Sequence, residues 1–332
     1  MNRSNAQYQA LTDGAGLLDF SDRTKIELTG TDRATFLHNF CTNDVSQLAP
    51  GAGCEAFLTD VQGKIVAHVF VFCGESSLVL DAVASQAAKI AEHLDCYLIR
   101  EDVQIDDRTE DWGELFLSGA EAPEVLRKLG NQDLPTEPLS YSPLCHTPLR
   151  YKDMQITDQA AAMVRSVGLS GENGFFIQCQ RRAVAALTDS LLAAGATLCE
   201  AEAFDMARIE AGTPLFGHDI TDANLPQEVD RNEQTISFTK GCYLGQETIA
   251  RIDALGHVNQ TLCGVRFQGQ VVPEIGTELM LDDKKVGRVT SATYSPRLAA
   301  PLALAYVRRG HNAVGAALAS PIGAAEVIQL PL

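Results

Sequence analysis

Lys240-Gly241-Cys242-Tyr243-Leu244-Gly245-Gln246-Glu247 brings a thiol, an amine, an amide and a carboxylate into eight consecutive residues. Gly241 and Gly245 flank its Cys-Tyr-Leu core and permit backbone angles and close approaches that a Cβ resists. Thr248, Ile249, Ala250 and Arg251 read as the first turns of a helix, which places Cys242 just before a helix N-terminus. The positive end of that helix and the Lys240 ammonium would both favour a thiolate. The plainer reading is a small, buried, apolar cysteine, the common state of a free thiol. Gln246 and Glu247 suit a first helical turn for stability alone, and Glu247 with Arg251 has the i,i+4 spacing of a helix-surface pair.

Further motifs lie on either side. They are Gly16-Leu17-Leu18-Asp19-Phe20-Ser21, Phe36-Leu37 ahead of Thr42-Asn43-Asp44-Val45, and the turn Gly171-Glu172-Asn173-Gly174-Phe175. Asp205-Met206-Ala207-Arg208-Ile209-Glu210-Ala211-Gly212 follows, then Pro214-Leu215-Phe216-Gly217-His218. Thr290-Ser291, Tyr294-Ser295-Pro296 and Ala303-Leu304-Ala305-Tyr306-Val307 complete the series. In this order, with the octapeptide, they resemble the YgfZ-type folate-binding proteins of the glycine-cleavage T-protein (aminomethyltransferase) superfamily. The match runs from Gly16 to Val307, and its specificity lies in the shared order rather than in any one motif.

The resemblance implies an α+β fold, a three-domain ring of two intertwined α+β (ferredoxin-like) domains and a C-terminal antiparallel β-barrel around a folate-sized hole. It implies tetrahydrofolate or a one-carbon derivative as ligand, held by Glu172 and Arg208, with Asn43 and Asp44 nearby. Cys242 and Lys240 would form the reactive motif beside the central opening, with Tyr243, Gln246, Glu247 and Arg251 around them. The partners implied are iron–sulfur enzymes or their assembly proteins, including enzymes that modify tRNA. Bland roles stand beside these: Glu172 as a solvated turn acid, Arg208 as an i,i+3 partner of Asp205, Asn43 and Asp44 as caps after their turn.

One departure bears on chemistry. In the aminomethyltransferases, a Gly-Gly pair and two apolar residues lead into adjacent aspartates, one of them catalytic. Here Gln62-Gly63-Lys64-Ile65 leads into Val66 and Ala67, which can neither carry charge nor accept a proton. Asp60-Val61-Gln62-Gly63-Lys64 instead resembles the D-x-x-G-K of the YgfZ branch. A folate-binding accessory factor for iron–sulfur assembly or repair is therefore the first expectation, and an aminomethyltransferase the alternative. A folate-dependent demethylase half of a flavoenzyme is a third, but neither Gly14-Ala15-Gly16 nor Gly51-Ala52-Gly53 completes a dinucleotide-binding fingerprint.

Composition narrows the classes. The 332 residues carry 26 Lys and Arg against 43 Asp and Glu, a net charge of −17, which disfavours direct nucleic-acid binding. Apolar residues make up 45%, enough for a full core, yet no run approaches the roughly 18–20 needed to span a bilayer. Nine scattered cysteines, an odd number with no C-x-x-C, argue against a disulfide framework or a dedicated metal site. With no apolar leader in the first residues, a cytoplasmic location is expected. The prolines at 135, 138, 143 and 148 mark a linker over 131–148. Strand–helix units before it and after it suggest a folate-binding region over 1–255. Alternating, glycine-rich residues 256–332 read as a small antiparallel barrel.

Overall fold

The computed structural model describes residues 3–129, 149–157, 160–171 and 174–332. The predicted linker, Glu172 and Asn173 lie outside them. Two β structures organise the chain. The first is an eleven-stranded mixed sheet and the second a closed six-stranded barrel.

The sheet is assembled from interleaved pieces of sequence. Strand β1 (Gly16–Asp19) pairs with β7 (Trp112–Ser118), and β7 with β10 (Gly174–Gln180). Strand β2 (Thr24–Thr29), only four residues beyond β1, instead pairs with β5 (Ser77–Ala82) and β6 (Gln104–Asp107). The two halves join where β3 (Ala52–Thr59) meets β8 (Leu149–Thr157), so consecutive strands serve different halves. Strands β4 (Ile65–Cys73) and β9 (Ala160–Ser166) complete the middle, and the short β11 (Thr197–Leu198) the edge.

Each half has its own core. Helices α2 (Arg33–His38) and α3 (Ala87–Asp95) cover a cluster containing Leu28, Leu37, Ala67, Val69, Val71 and Ile90. Helices α4 (Ala122–Lys128) and α5 (Val184–Ala193) cover a second, with Leu117, Val125, Ile177 and Leu187. A third cluster, rich in aromatics, packs α1 (Arg3–Thr12) and α6 (Ala201–Glu210) against Phe72, Phe116 and Phe176. Burial of each large apolar side chain contributes roughly 1.5–3 kcal/mol, so these clusters dominate folding.

A charge cluster is sealed within the sheet. Arg23, Lys25, Asp81, Glu114 and Arg165 are all buried. Arg23 Nε donates to Asp81 at 2.7 Å, and Lys25 Nζ stands 3.6 Å from Glu114. Burial, reinforced by Asp81, pushes the Glu114 carboxyl up to about 8. For Asp81 burial also acts upward, but the neighbouring cations overcome it and hold that carboxyl low.

The barrel runs in the order β12 (Gln260–Phe267), β15 (Ala300–Arg308), β14 (Lys284–Ser295), β13 (Glu278–Leu281), β16 (Ala317–Ser320) and β17 (Gly323–Ile328), closing on β12. The short helix α7 (Asn232–Thr235) and helix α8 (Gln246–Leu255) precede it. The expected α+β architecture with a C-terminal antiparallel barrel is therefore what the chain adopts. Among the described residues, no helix is long and apolar enough to cross a membrane.

Candidate functional site

A cavity of about 820 Å³ lies where the sheet, the end of α6 and the barrel converge. Glu55 and Phe70 face it from β3 and β4, and Ser118-Gly119-Ala120 with Ser170-Gly171 from two turns. Glu210 to Gly212, Asp230-Arg231, Gln234, and Cys263-Gly264 of the barrel add to its wall, and Leu330, Pro331 and Leu332 close it.

Three carboxylates belong to this wall, and they differ in their partners. Glu55 accepts two hydrogen bonds from Arg231, both at 2.6 Å, and His68 Nε2 lies 2.7 Å from its Oε1. Burial works against the Glu55 charge, but the Arg231 guanidinium and His68 outweigh it and hold the carboxyl well below the usual carboxylate range. Glu210, also buried, accepts from the hydroxyls of Tyr8 and Ser295 and from the Arg297 backbone N–H. Asp230 has neither a hydrogen bond nor an ion pair to any described side chain. It sits in the left-handed region, φ 62°, at the end of a short 3₁₀ turn over Pro226–Val229.

Apolar residues stand at positions 66 and 67 of β4. Ala67 lies in the core with Val69 and Val71, and Val66 packs against the same cluster. The register to β3 shifts here, with Leu58 opposite Ala67 and Thr59 opposite Ile65, so Val66 is the extra residue of a bulge. Further along the strand, Phe70 lines the cavity and His68 contacts Glu55.

The octapeptide is organised for packing. Lys240 is 8% exposed, and its Nζ donates to three carbonyls, those of His38 at 2.6 Å, Cys41 at 2.7 Å and Asn43 at 2.8 Å. An ammonium has three protons, so all are spent on the 38–43 segment and none on Cys242. Burial lowers the Lys240 pKa despite nearby Cys41 and Asp44. Leu244 N–H to the Asn39 carbonyl and Ser237 N–H to that of Thr42 extend the same seam. Gly245 precedes α8 with φ 81°, and a Cβ there would lie 2.4 Å from the Asp60 carbonyl oxygen. Gly63 packs reciprocally, its Cβ position 3.0 Å from the Gly245 oxygen. The D-x-x-G-K turn and the octapeptide thus meet through two glycines that no larger residue could replace without backbone movement.

Cys242 is exposed at the start of this seam, as is Cys96 on the far side of α3. Cys242 is not among the described residues that line the cavity. Tyr243 is buried beneath it, its ring 4.8 Å from Lys240 Nζ. Gln246 and Glu247 open α8 and Arg251 follows one turn later, exposed. Cys242 thus stands apart from the residues that line this cavity, on a loop pinned to the 38–43 backbone.

Arg208 and the Asn43-Asp44 pair are also committed to protein groups. Arg208 is 3% exposed, bonding Asp205, Asp219 Oδ2 at 3.1 Å, the Thr213 carbonyl at 3.2 Å and Ser291 Oγ at 2.9 Å. It ties α6 to barrel strand β14, while Ala207 and Glu210 of the same helix reach the cavity wall. Asn43 donates to the carbonyls of Glu55 and Gln234, at 2.8 and 2.9 Å. Asp44 caps Ser46 at 2.7 Å and pairs with His38 Nδ1 at 3.2 Å. Burial acts upward on Asp44, and Ser46 and His38 together bring it below its ordinary value. No group of three or more metal-ligating side chains occurs among the described residues.

Sequence reasoning passed over Glu55, His68, Arg231 and Asp230. Glu55 and His68 had a legible signal, since each is the lone ionisable residue in an otherwise apolar strand, and a buried charge needs a partner. The Asp230-Arg231 pair lies beyond any periodic pattern and left none.

A mixed sheet closed against a small β-barrel, with a cavity where they converge, is a two-part architecture. The chain belongs to the glycine cleavage T-protein family. Residues 1–238 match the GCVT N-terminal domain and residues 260–332 the glycine cleavage T-protein C-terminal barrel domain. It is 28% identical over 314 residues to an aminomethyltransferase of Geobacillus kaustophilus, covering 93% of this chain and 83% of that one. An aminomethyltransferase of a Nostoc species is 30% identical over 311 residues, with 91% and 79% covered. The crystal structure of the glycine cleavage system aminomethyltransferase T from Bartonella henselae shares the fold, with TM-score 0.85 at 21% identity over 99% of this chain and 89% of that one.

Proposed function

We propose that this protein binds tetrahydrofolate, or a one-carbon derivative of it, in the cavity between sheet and barrel, as a folate-dependent T-protein-like transferase. The supporting observation is the cavity itself. About 820 Å³ suits a ligand of that size, and the wall mixes apolar surface with a few convergent polar groups. When bound, tetrahydrofolate carries a one-carbon unit on its nitrogens. This chain's residues then have distinct tasks. Phe70, Leu262 and Leu330 supply apolar wall for a flat ring, and Gln234 and the Ser118–Ser170 hydroxyl pair supply polar contacts. Glu55 fixes Arg231, so the wall keeps its shape without a ligand. Glu172 is carried as a ligand contact by the family resemblance alone.

Val66 and Ala67 favour a second reading, an accessory factor of the YgfZ type serving iron–sulfur enzymes, because neither residue offers the acid that aminomethyl transfer uses. Cys242, exposed within its octapeptide, would meet such partners at the surface. The test has two stages. Calorimetry should detect tetrahydrofolate binding, and its absence would remove both readings. A glycine-cleavage assay with lipoylated carrier protein then separates them: turnover supports the transferase. Binding without turnover, joined to Cys242-dependent rescue of iron–sulfur enzyme activity in a deficient cell, supports the accessory factor.

A further inference from the structure

The face of β4 that carries Phe70 to the cavity holds one ionisable side chain, His68. His68 lies directly across from Phe57, and Phe70 across from Glu55, so the four side chains share one face of β3 and β4. The His68 ring is 8% exposed, 5.1 Å from that of Phe57 and 5.6 Å from that of Phe70. Glu55 and Phe70 line the cavity, and His68, in contact with both, stands just behind them.

The two ring nitrogens differ in their surroundings. Nε2 lies 2.7 Å from Glu55 Oε1. Arg231 holds the Glu55 carboxyl in its charged form, so Glu55 is the acceptor and a neutral His68 ring carries its proton on Nε2. That leaves a lone pair on Nδ1. Nδ1 has no hydrogen-bond partner among the described residues, yet it is not one of the sealed, unpartnered polar atoms, so it keeps an open side. Packing does not require this arrangement: phenylalanine would fill the place beside Phe57 and Phe70 with no buried nitrogen to satisfy. A carboxylate that fixes an imidazole in one tautomer and leaves its other nitrogen unprotonated prepares a general base. Glu55 cannot take that role itself, because Arg231 and His68 already occupy its oxygens.

We propose that His68 is the acid–base residue of the cavity, its Nδ1 taking, directly or across one water, the proton released when a folate nitrogen bonds to the transferred carbon. In that step the N–H bond breaks and the N–C bond forms, and the electron pair of the bond from the carbon to its donor leaves with the donor. His68 then returns the proton to the departing donor atom. Glu55 and Arg231 act as positioning residues that fix the ring and its tautomer. The assignment rests on the transferase reading above and supplies from β4 the proton acceptor that Val66 and Ala67 lack.

The experiment joins imidazole NMR to turnover, both on the full chain. In wild type the His68 ring, identified by its contacts with the Phe57 and Phe70 rings, should show the nitrogen shifts of an Nε2–H tautomer. Saturating tetrahydrofolate should move its Nδ1 resonance more than that of His257, which is exposed and outside the cavity wall. His68→Gln keeps an N–H for Glu55 and removes the base. It should bind tetrahydrofolate within about twofold of wild type and lose roughly a hundredfold or more in kcat in the glycine-cleavage assay. Retained binding shows that the variant is folded, and the wild-type resonance decides the assignment even if it is not. Tetrahydrofolate that binds wild type without moving the His68 resonance, or a variant with wild-type kcat, overturns the assignment of His68 alone. Wild type that binds tetrahydrofolate without any turnover overturns the transferase reading and the assignment with it.

Discussion

The octapeptide seam and the cavity wall divide the site's chemistry in opposite ways. In the seam, the side chain that looks most reactive in sequence is fully committed: Lys240 spends three protons on three carbonyls. In the wall, Asp230, which no motif marks, is exposed and has no partner among the described residues. A motif dense in functional groups can thus be an architectural joint. The exposed thiol of Cys242 is the part of the seam that remains available.

The contrast can be broken at its strongest point first. Lys240→Met should leave three backbone carbonyls without their donor and destabilise the fold by about 3–5 kcal/mol, read from urea unfolding. Loss of activity with stability unchanged would instead make Lys240 a chemical group and dissolve the distinction. Glu55→Gln comes next, at about 3 kcal/mol, because it strands the Arg231 cation. Its pH dependence follows from a carboxyl held below its ordinary value in the folded state. That stabilisation is complete above the unfolded carboxylate pKa of about 4.3 and is lost only as pH falls below it. Wild type should therefore exceed the variant by a constant margin from pH 5 to 8, with the margin shrinking only in stronger acid. A margin that changed near neutrality would contradict the Glu55–Arg231 assignment.

The smallest effect belongs to Cys242. Cys242→Ser should shift stability by less than about 0.5 kcal/mol, as exposed positions do, and leave tetrahydrofolate affinity unaltered. Cys242 and Cys96 should alkylate ahead of Cys41, Cys54, Cys73, Cys179 and Cys199, which are buried. Slow labelling of Cys242, or loss of ligand binding in its serine variant, would place the thiol within the cavity's reach after all.

Much of the fold was legible because it rests on period and punctuation. The alternation of the C-terminal residues gave the barrel, and Gly212 and Gly245 mark helix ends with φ 72° and 81°. The single eleven-stranded sheet was not legible. Leu17 and Ile26 are both apolar strand residues near in sequence, and nothing local says that one pairs toward β7 and the other toward β5. The motifs located the seam but not its purpose, since a hydrogen bond from Lys240 to carbonyls some 200 residues away is a tertiary event. Arg208 shows the same limit: its i,i+3 partner Asp205 could be read from spacing, whereas Asp219 and Ser291 could not.

The central claim is that the space between sheet and barrel holds the ligand. Ala120 lines that space, and its backbone N–H donates to the Thr12 carbonyl, a bond that a larger side chain retains. Calorimetry of Ala120→Trp against wild type, at matched thermal midpoints, tests the claim most directly. Filling the cavity should abolish tetrahydrofolate binding that wild type shows. Equal affinity in the two proteins would put the ligand elsewhere on the molecule.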